Sequence, residues 1–154
     1  MLLIERAQKG DLAEILALQY LAYQSEARLF DDPDIPPLKQ TLEEVEAEYE
    51  RGVILKATDD GGAIIGSVRA HRGNGTVYIG KLMVHPDRQR KGIGSALLEA
   101  MEREFPGQRY ELFTSTRSVG NIRLYQRTGY RAFREEQISG DLCFVYMEKN
   151  PKSE

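Results

Sequence analysis

A chain of 154 residues, 41% hydrophobic and 29% charged, has the length and balance of one globular domain, which buries about two-thirds of the surface its unfolded form exposes. Its net charge of −3, with acids and bases dispersed, argues against nucleic-acid binding, which needs clustered Lys and Arg. The single cysteine, Cys143, excludes an internal disulfide framework, and two histidines, His71 and His85, lack the spacing of a zinc site. Cys143 lies in an apolar run (residues 142–147), so it is expected to be a buried structural thiol. The opening Met-Leu-Leu-Ile-Glu-Arg lacks a signal-peptide pattern, and no window reaches the ~18 apolar residues of a membrane span. The expectation is a cytoplasmic protein without metal, membrane or nucleic-acid partners.

Residues 1–7 read as a short strand. Asp11, with Glu14 three positions on, reads as a capping box opening a helix whose stripe is Leu12, Ile15, Leu16, Gln19, Ala22 and Tyr23. Gln19 is its one polar interruption. Residues 30–37 carry three prolines and are expected to form a loop without helix. Thr41 and Glu44 make a second capping box, followed by Leu42, Val45 and Tyr49 on one face until Gly52. Residues 53–58 and 63–72 flank Asp59-Asp60-Gly61-Gly62 and read as an antiparallel hairpin, and residues 76–84 as a further strand.

At Ile93 the period changes. Ile93, Leu97, Met101 and Phe105 recur every four residues, with Leu98 filling the stripe, until Pro106-Gly107. Residues 110–114 read as a strand and 121–127 as a short helix closed by Gly129. Residues 132–138 and 142–148 pair across Ser139-Gly140-Asp141. No repeat or linker divides the chain, so one α/β domain is expected over residues 1–149, with a short polar tail at 150–154. Its sheet should be mixed and mostly antiparallel.

The chemistry concentrates between the strand ending at Val84 and the helix starting near Ile93. The first amides of a helix lack internal partners and lie at the positive end of its dipole, so this terminus attracts anions. Gly92 and Gly94 let an anion approach the backbone, and Arg90 and Lys91 add charge. The turn is neither a dinucleotide fingerprint nor a Walker loop, since the required later Gly and the Gly-Lys-Ser/Thr step are absent.

Gln89-x-x-Gly92-x-Gly94, preceded by Leu82-Met83-Val84-His85-Pro86, resembles the pyrophosphate-binding signature of the GNAT superfamily of acyl-CoA-dependent N-acyltransferases. Downstream, Asn121-Ile-Arg-Leu-Tyr125 followed by Gly129-Tyr130 resembles that family's second hallmark. The likeness covers essentially the whole chain. It implies a GNAT fold whose central strands splay apart, flanked by helices, with acetyl-CoA as acyl donor and an amine as acceptor.

Carried over, Leu82, Met83 and Val84 would bond the pantetheine and polarise the thioester. The amides of Gln89, Arg90, Lys91, Gly92, Ile93, Gly94 and Ser95 would hold the pyrophosphate. Asn121 would contact the cofactor arm, and Tyr125 would protonate the leaving thiolate. The strand glutamate that serves many members as base falls at Gly80 here. Glu26, Asp31, Asp32, His71 and Glu111 are substitutes to weigh. The acids Glu26, Asp31, Asp32 and Asp34 between the first helices suggest a cationic, polyamine-like or aminoglycoside-like acceptor. A small-molecule amine is the expected acceptor and a protein amine the alternative. A non-catalytic acyl-CoA sensor is the rival reading. Relatives are often dimers and the C-terminal hairpin offers an edge, so a homodimer is a further expectation.

Overall fold

The computed structural model describes residues 2–151; Lys152, Ser153 and Glu154 of the expected tail, and Met1, lie outside the described residues. Seven strands form one sheet in the order β1-β2-β3-β4-β5-β7-β6. They are β1 (Leu3–Arg6), β2 (Val53–Thr58), β3 (Ile64–Gly73), β4 (Thr76–Val84), β5 (Arg109–Ser115), β6 (Arg131–Gln137) and β7 (Cys143–Lys149). All neighbours are antiparallel except β4 and β5. That one parallel pair follows from the helix α5 (Ile93–Glu104), which carries the chain back to the starting end of the sheet.

Both faces of β3 are covered, so Ile64, Ile65, Val68 and Ala70 are all buried and the strand shows no clean alternation. On one face, Ile54, Ile64 and Met83 pack with Leu12, Ile15 and Leu16 of α1 (Leu12–Ala22) and Val45 of α4 (Leu42–Arg51). On the other, Leu55, Val68, Val77 and Ile79 meet Ile93, Leu97, Leu98 and Met101 of α5. A Cβ on Gly66 would come within 3.0 Å of Leu97, so a glycine there sets how closely α5 approaches the sheet.

Three expectations change. Asp11 does not cap α1 through Glu14. Its carboxylate accepts the Gln8 amide at 2.8 Å and the Lys56 ammonium at 2.8 Å, while Glu14 accepts the Ile64 amide at 3.0 Å. Asp11 thus caps the short turn before α1 and reaches β2, and Glu14 serves β3, in place of the expected box. Residues 30–37 are not purely loop: α2 (Gln24–Phe30) ends at Phe30, and α3 (Pro36–Lys39) begins on two prolines. Proline at the first turn of a helix gives up only a donor that would have no partner anyway. Cys143 is half-buried rather than buried, with its thiol raised in pKa by burial and by the adjacent Glu135. The Thr41 box forms as expected, Thr41 Oγ1 accepting the Glu44 amide at 3.2 Å and Glu44 the Thr41 amide at 2.9 Å.

The polar interruption in α1 has a partner far away in sequence. Gln19, fully buried, accepts from Arg69 of β3 at 2.6 Å and donates to the Pro37 carbonyl and to Gln40 at 2.8 and 2.9 Å. Arg69 also donates to Glu48 of α4 at 2.8 Å and to Gln40 at 2.9 Å. One buried guanidinium therefore ties α1, α4 and the segment between them to the middle of the sheet.

Candidate active site

The parallel pairing of β4 with β5 lasts three residues: Thr76↔Arg109, Val77↔Tyr110 and Tyr78↔Glu111. Beyond Tyr78 no register pair joins the two strands among the described residues. The cause lies in β4. Against β3, Gly80 opposes Arg69 and Met83 opposes Ser67, so three steps on β4 match two on β3. The extra residue is a bulge, and Lys81 takes φ 52° within it. The bulge bends β4 away from β5 and opens a wedge in the sheet.

At the open end of this wedge β4 runs into the turn singled out in the sequence. Residues Pro86–Arg88 form one short helical turn, with His85 Nδ1 accepting the Asp87 amide at 3.1 Å. Arg90 (φ 64°) and Gly92 (φ 80°) are both left-handed, a backbone pattern that gathers amides into an anion-binding concavity. No side chain caps α5, and the first amide to close on the loop is that of Ala96, onto the Gly92 carbonyl at 3.0 Å. The preceding helical amides are left without intrahelical acceptors. The two glycines differ in purpose. Gly92 answers to its dihedral, since a Cβ there would touch nothing within 4 Å. Gly94 answers to packing, since its Cβ would lie 3.0 Å from Leu124 of α6 (Val119–Arg127).

A groove of about 790 Å³ runs from this turn along the bent part of β4 to α6. Leu82, Met83, Val84, Gln89, Arg90, Gly92, Ile93, Gly94, Ser95 and Asn121 all line it. Lys91 is exposed beside the turn and is not part of the lining. Five arginines contribute: Arg88, Arg90, Arg117, Arg123 and Arg127. Arg88 is already held by Asp59 at 3.0 Å. Glu26 is the one carboxylate among the lining residues. The Ser118 hydroxyl on the same wall is buried without a hydrogen-bond partner among the described residues. Sequence reasoning missed Ser118 and the arginines of α6 and the loop before it. The spacing of Arg123 and Arg127, four apart on the helix carrying Asn121, was a usable signal.

Tyr125 is 7% exposed and packs within the core behind the groove lining, its ring 6.3 Å from that of Tyr130. Its hydroxyl makes no hydrogen bond among the described residues. Burial, and secondarily the Glu26 carboxylate, push its pKa well above the ordinary phenol value, so the hydroxyl keeps its proton. Tyr23 is raised the same way, with Glu26 and Tyr125 adding to burial. Glu26 accepts from Asn121 Nδ2 at 3.3 Å, and Asn121 also reaches Thr114 at 3.3 Å. Burial raises the Glu26 pKa against that hydrogen bond.

The other substitutes for the missing strand glutamate scatter. His71 and Glu111 line a second, smaller cavity, and Asp31 and Asp32 line neither. Asp32 accepts the Asp34 amide at 2.9 Å and Asp34 pairs with Lys39 at 3.4 Å, so this acidic segment is tied up locally. Among the described residues no cluster of His, Cys, Asp and Glu could hold a metal, and no helix is long and apolar enough to cross a membrane.

The model of the acetyltransferase (GNAT) domain family matches residues 22–151. A curated relative, the UPF0157 protein YqkA of Bacillus subtilis, is 30% identical over 140 residues, covering 90% of this chain and 40% of that protein. The chain thus spans less than half the length of that relative. Among solved structures, the ribosomal-protein-S18-alanine N-acetyltransferase of Escherichia coli superposes with a TM-score of 0.81 at 18% identity, covering 100% of this chain and 97% of that one. The paia N-acetyltransferase of Thermoplasma acidophilum, solved in complex with coenzyme A, gives 0.77 at 19% identity, with 97% and 99% covered.

Proposed function

The chain belongs to the GNAT acetyltransferase family, and from that premise we propose that it transfers the acetyl group of acetyl-CoA to an amine, with direct attack inside the wedge between β4 and β5. The observation that carries the reading is the continuity of one groove, from the amide-rich turn at the start of α5 to the unpaired edge of β4. Left-handed Arg90 and Gly92, four arginines beyond the Asp59-bound Arg88 and the unpartnered Ser118 hydroxyl suit a ligand rich in phosphate oxygens.

In this reading the amides from Gln89 to Ser95 bind the pyrophosphate. The wedge-facing backbone groups of Leu82 and Val84 take the pantetheine as an added strand, Met83 between them being paired with Ser67 of β3, and one of the wedge-facing amides stabilises the oxyanion. Lys91 would contribute its amide and its charge from outside the groove. Asn121 steadies the cofactor arm. Tyr125, held protonated, donates to the departing sulfur and gives up its proton as thiolate charge builds. Glu26 would draw the proton from the amine, directly or through water, because burial makes its carboxylate a better base than a solvated one.

The test is release of free thiol from acetyl-CoA in the presence of an amine panel. Tyr125→Phe should lower kcat by about a hundredfold or more while CoA affinity, measured by calorimetry, stays within about twofold. A wild-type protein that binds CoA tightly and acetylates no amine would instead be an acyl-CoA sensor, the reading favoured by the lack of a carboxylate at Gly80.

A further inference from the structure

The second cavity, about 340 Å³, borders the same wedge. The two cavities divide β4 between them: residues 78–81 face this one, and residues 82–84 face the groove. Its other walls come from α4, β3, β5 and β7. Gly80 forms part of the floor, and a Cβ there would meet nothing within 4 Å, so the position is open space.

The charges around this cavity do not cancel. Arg51, Arg69 and Lys81 stand against Glu48 and Glu111. Glu48 is committed to Arg69 at 2.8 Å, and Glu111 to Arg109 at 2.8 Å from outside the cavity. Lys81 makes no ion pair or hydrogen bond among the described residues. Arg51 reaches Glu48 only at 4.0 Å. The left-handed bulge sets Lys81 at the point where the wedge opens. Burial lowers the pKa of its ammonium; Glu48 opposes that shift, and Arg69 and Arg51 add to it. A bound anion would relieve this.

Phe113 and Tyr146, 5.4 Å apart between centroids, form the opposite wall, and Phe113 is 49% exposed. The cavity therefore couples a spare cation to an aromatic surface.

We propose that this cavity is the acceptor site and that it selects amines bearing a carboxylate, specifically amino acids with apolar side chains, through Lys81 and Arg51 on the carboxylate and Phe113 and Tyr146 on the side chain. The proposal rests on the acetyl-transfer reading above and names its acceptor class. The amine nitrogen bonds to the acetyl carbon and the carbon–sulfur bond breaks. Coenzyme A leaves as its thiol; of the two protons the ammonium loses, one restores the proton Tyr125 gives the sulfur and the other passes by way of Glu26 to solvent.

The experiment is calorimetric titration of the CoA-loaded protein with leucine, methionine and phenylalanine, each beside its decarboxylated amine, and with spermidine. At least one amino acid should bind about tenfold tighter than its decarboxylated amine and than spermidine. Lys81→Met should erase that preference, and Lys81→Arg should keep most of it, with CoA titration reporting that each variant is folded. In turnover assays the preference should sit in KM. Spermidine or a decarboxylated amine binding as tightly as the amino acids overturns the proposal. So does a failure of all three amino acids to bind, or a preference that survives Lys81→Met. Amino-acid binding with no acetyl transfer supports the anion site and sinks the transfer reading alone.

Discussion

Replacing Arg69 with methionine tests whether one buried guanidinium holds the roof of the site. Methionine fills similar volume but strands Gln19 Oε1 and takes one of two donors from Gln40 Oε1 and from Glu48 Oε2, which now accept from Arg69 at 2.6, 2.9 and 2.8 Å respectively. Removing one partner of a buried ion pair costs about 3–5 kcal/mol. The Glu48 side chain is 21% exposed and can recover some hydration, which favours the lower end. Gln40 also donates to Glu48 at 2.9 Å, so the carboxylate keeps one partner. A loss of about 3 kcal/mol corresponds to about 6–12 °C in Tm for a domain of this size. Urea denaturation followed by circular dichroism gives the loss directly. Adding Glu48→Gln should restore part of it, because the stranded charge is then gone. A loss under about 1 kcal/mol, or strict additivity of the two substitutions, would refute the assignment of Arg69 as the tie between α1, α4 and β3.

Glu26→Gln should stabilise the fold at neutral pH. Burial raises the folded-state pKa of Glu26 above its unfolded value, so the stability linked to its proton is complete below about pH 4.3 and is lost as pH rises through the folded pKa. The glutamine variant should therefore gain relative to wild type from about pH 5 upward and match it near pH 4; an advantage independent of pH would contradict this. Gly92→Ala should lose about 1–2 kcal/mol through its left-handed backbone, and should weaken CoA binding. Gly94→Ala should instead be rescued by Leu124→Ala, since the clash is with that side chain; additive effects in a double-mutant cycle would count against it.

Elements whose apolar period stands clear were legible in the sequence. Strand β4 and helix α5 fall where the switch at Ile93 put them, because both faces of that crossover bury a continuous stripe. Helix α2 was not legible, since Ala27 is its one buried residue and it shows no stripe. Gln19 was visible as an anomaly, but its partner Arg69 lies fifty positions on and only tertiary packing joins them. The groove could be read because its residues fall in three short segments. The second cavity could not, since it draws on five elements, and Lys81 enters it only through a register shift that no periodicity encodes.

The three-residue seam between β4 and β5 has a mechanical consequence. The sheet is two stiff plates, β1 to β4 and β5 to β6, sewn together along one short edge and otherwise held by helices. Motion between the plates costs few ladder hydrogen bonds, so the wedge is the compliant direction of the molecule. A ligand threaded as an extra strand would act as a rivet across both plates. Amides along residues 82–84 should then exchange with solvent far more slowly once CoA is bound, and the slowing should extend into β5 though no residue there has moved.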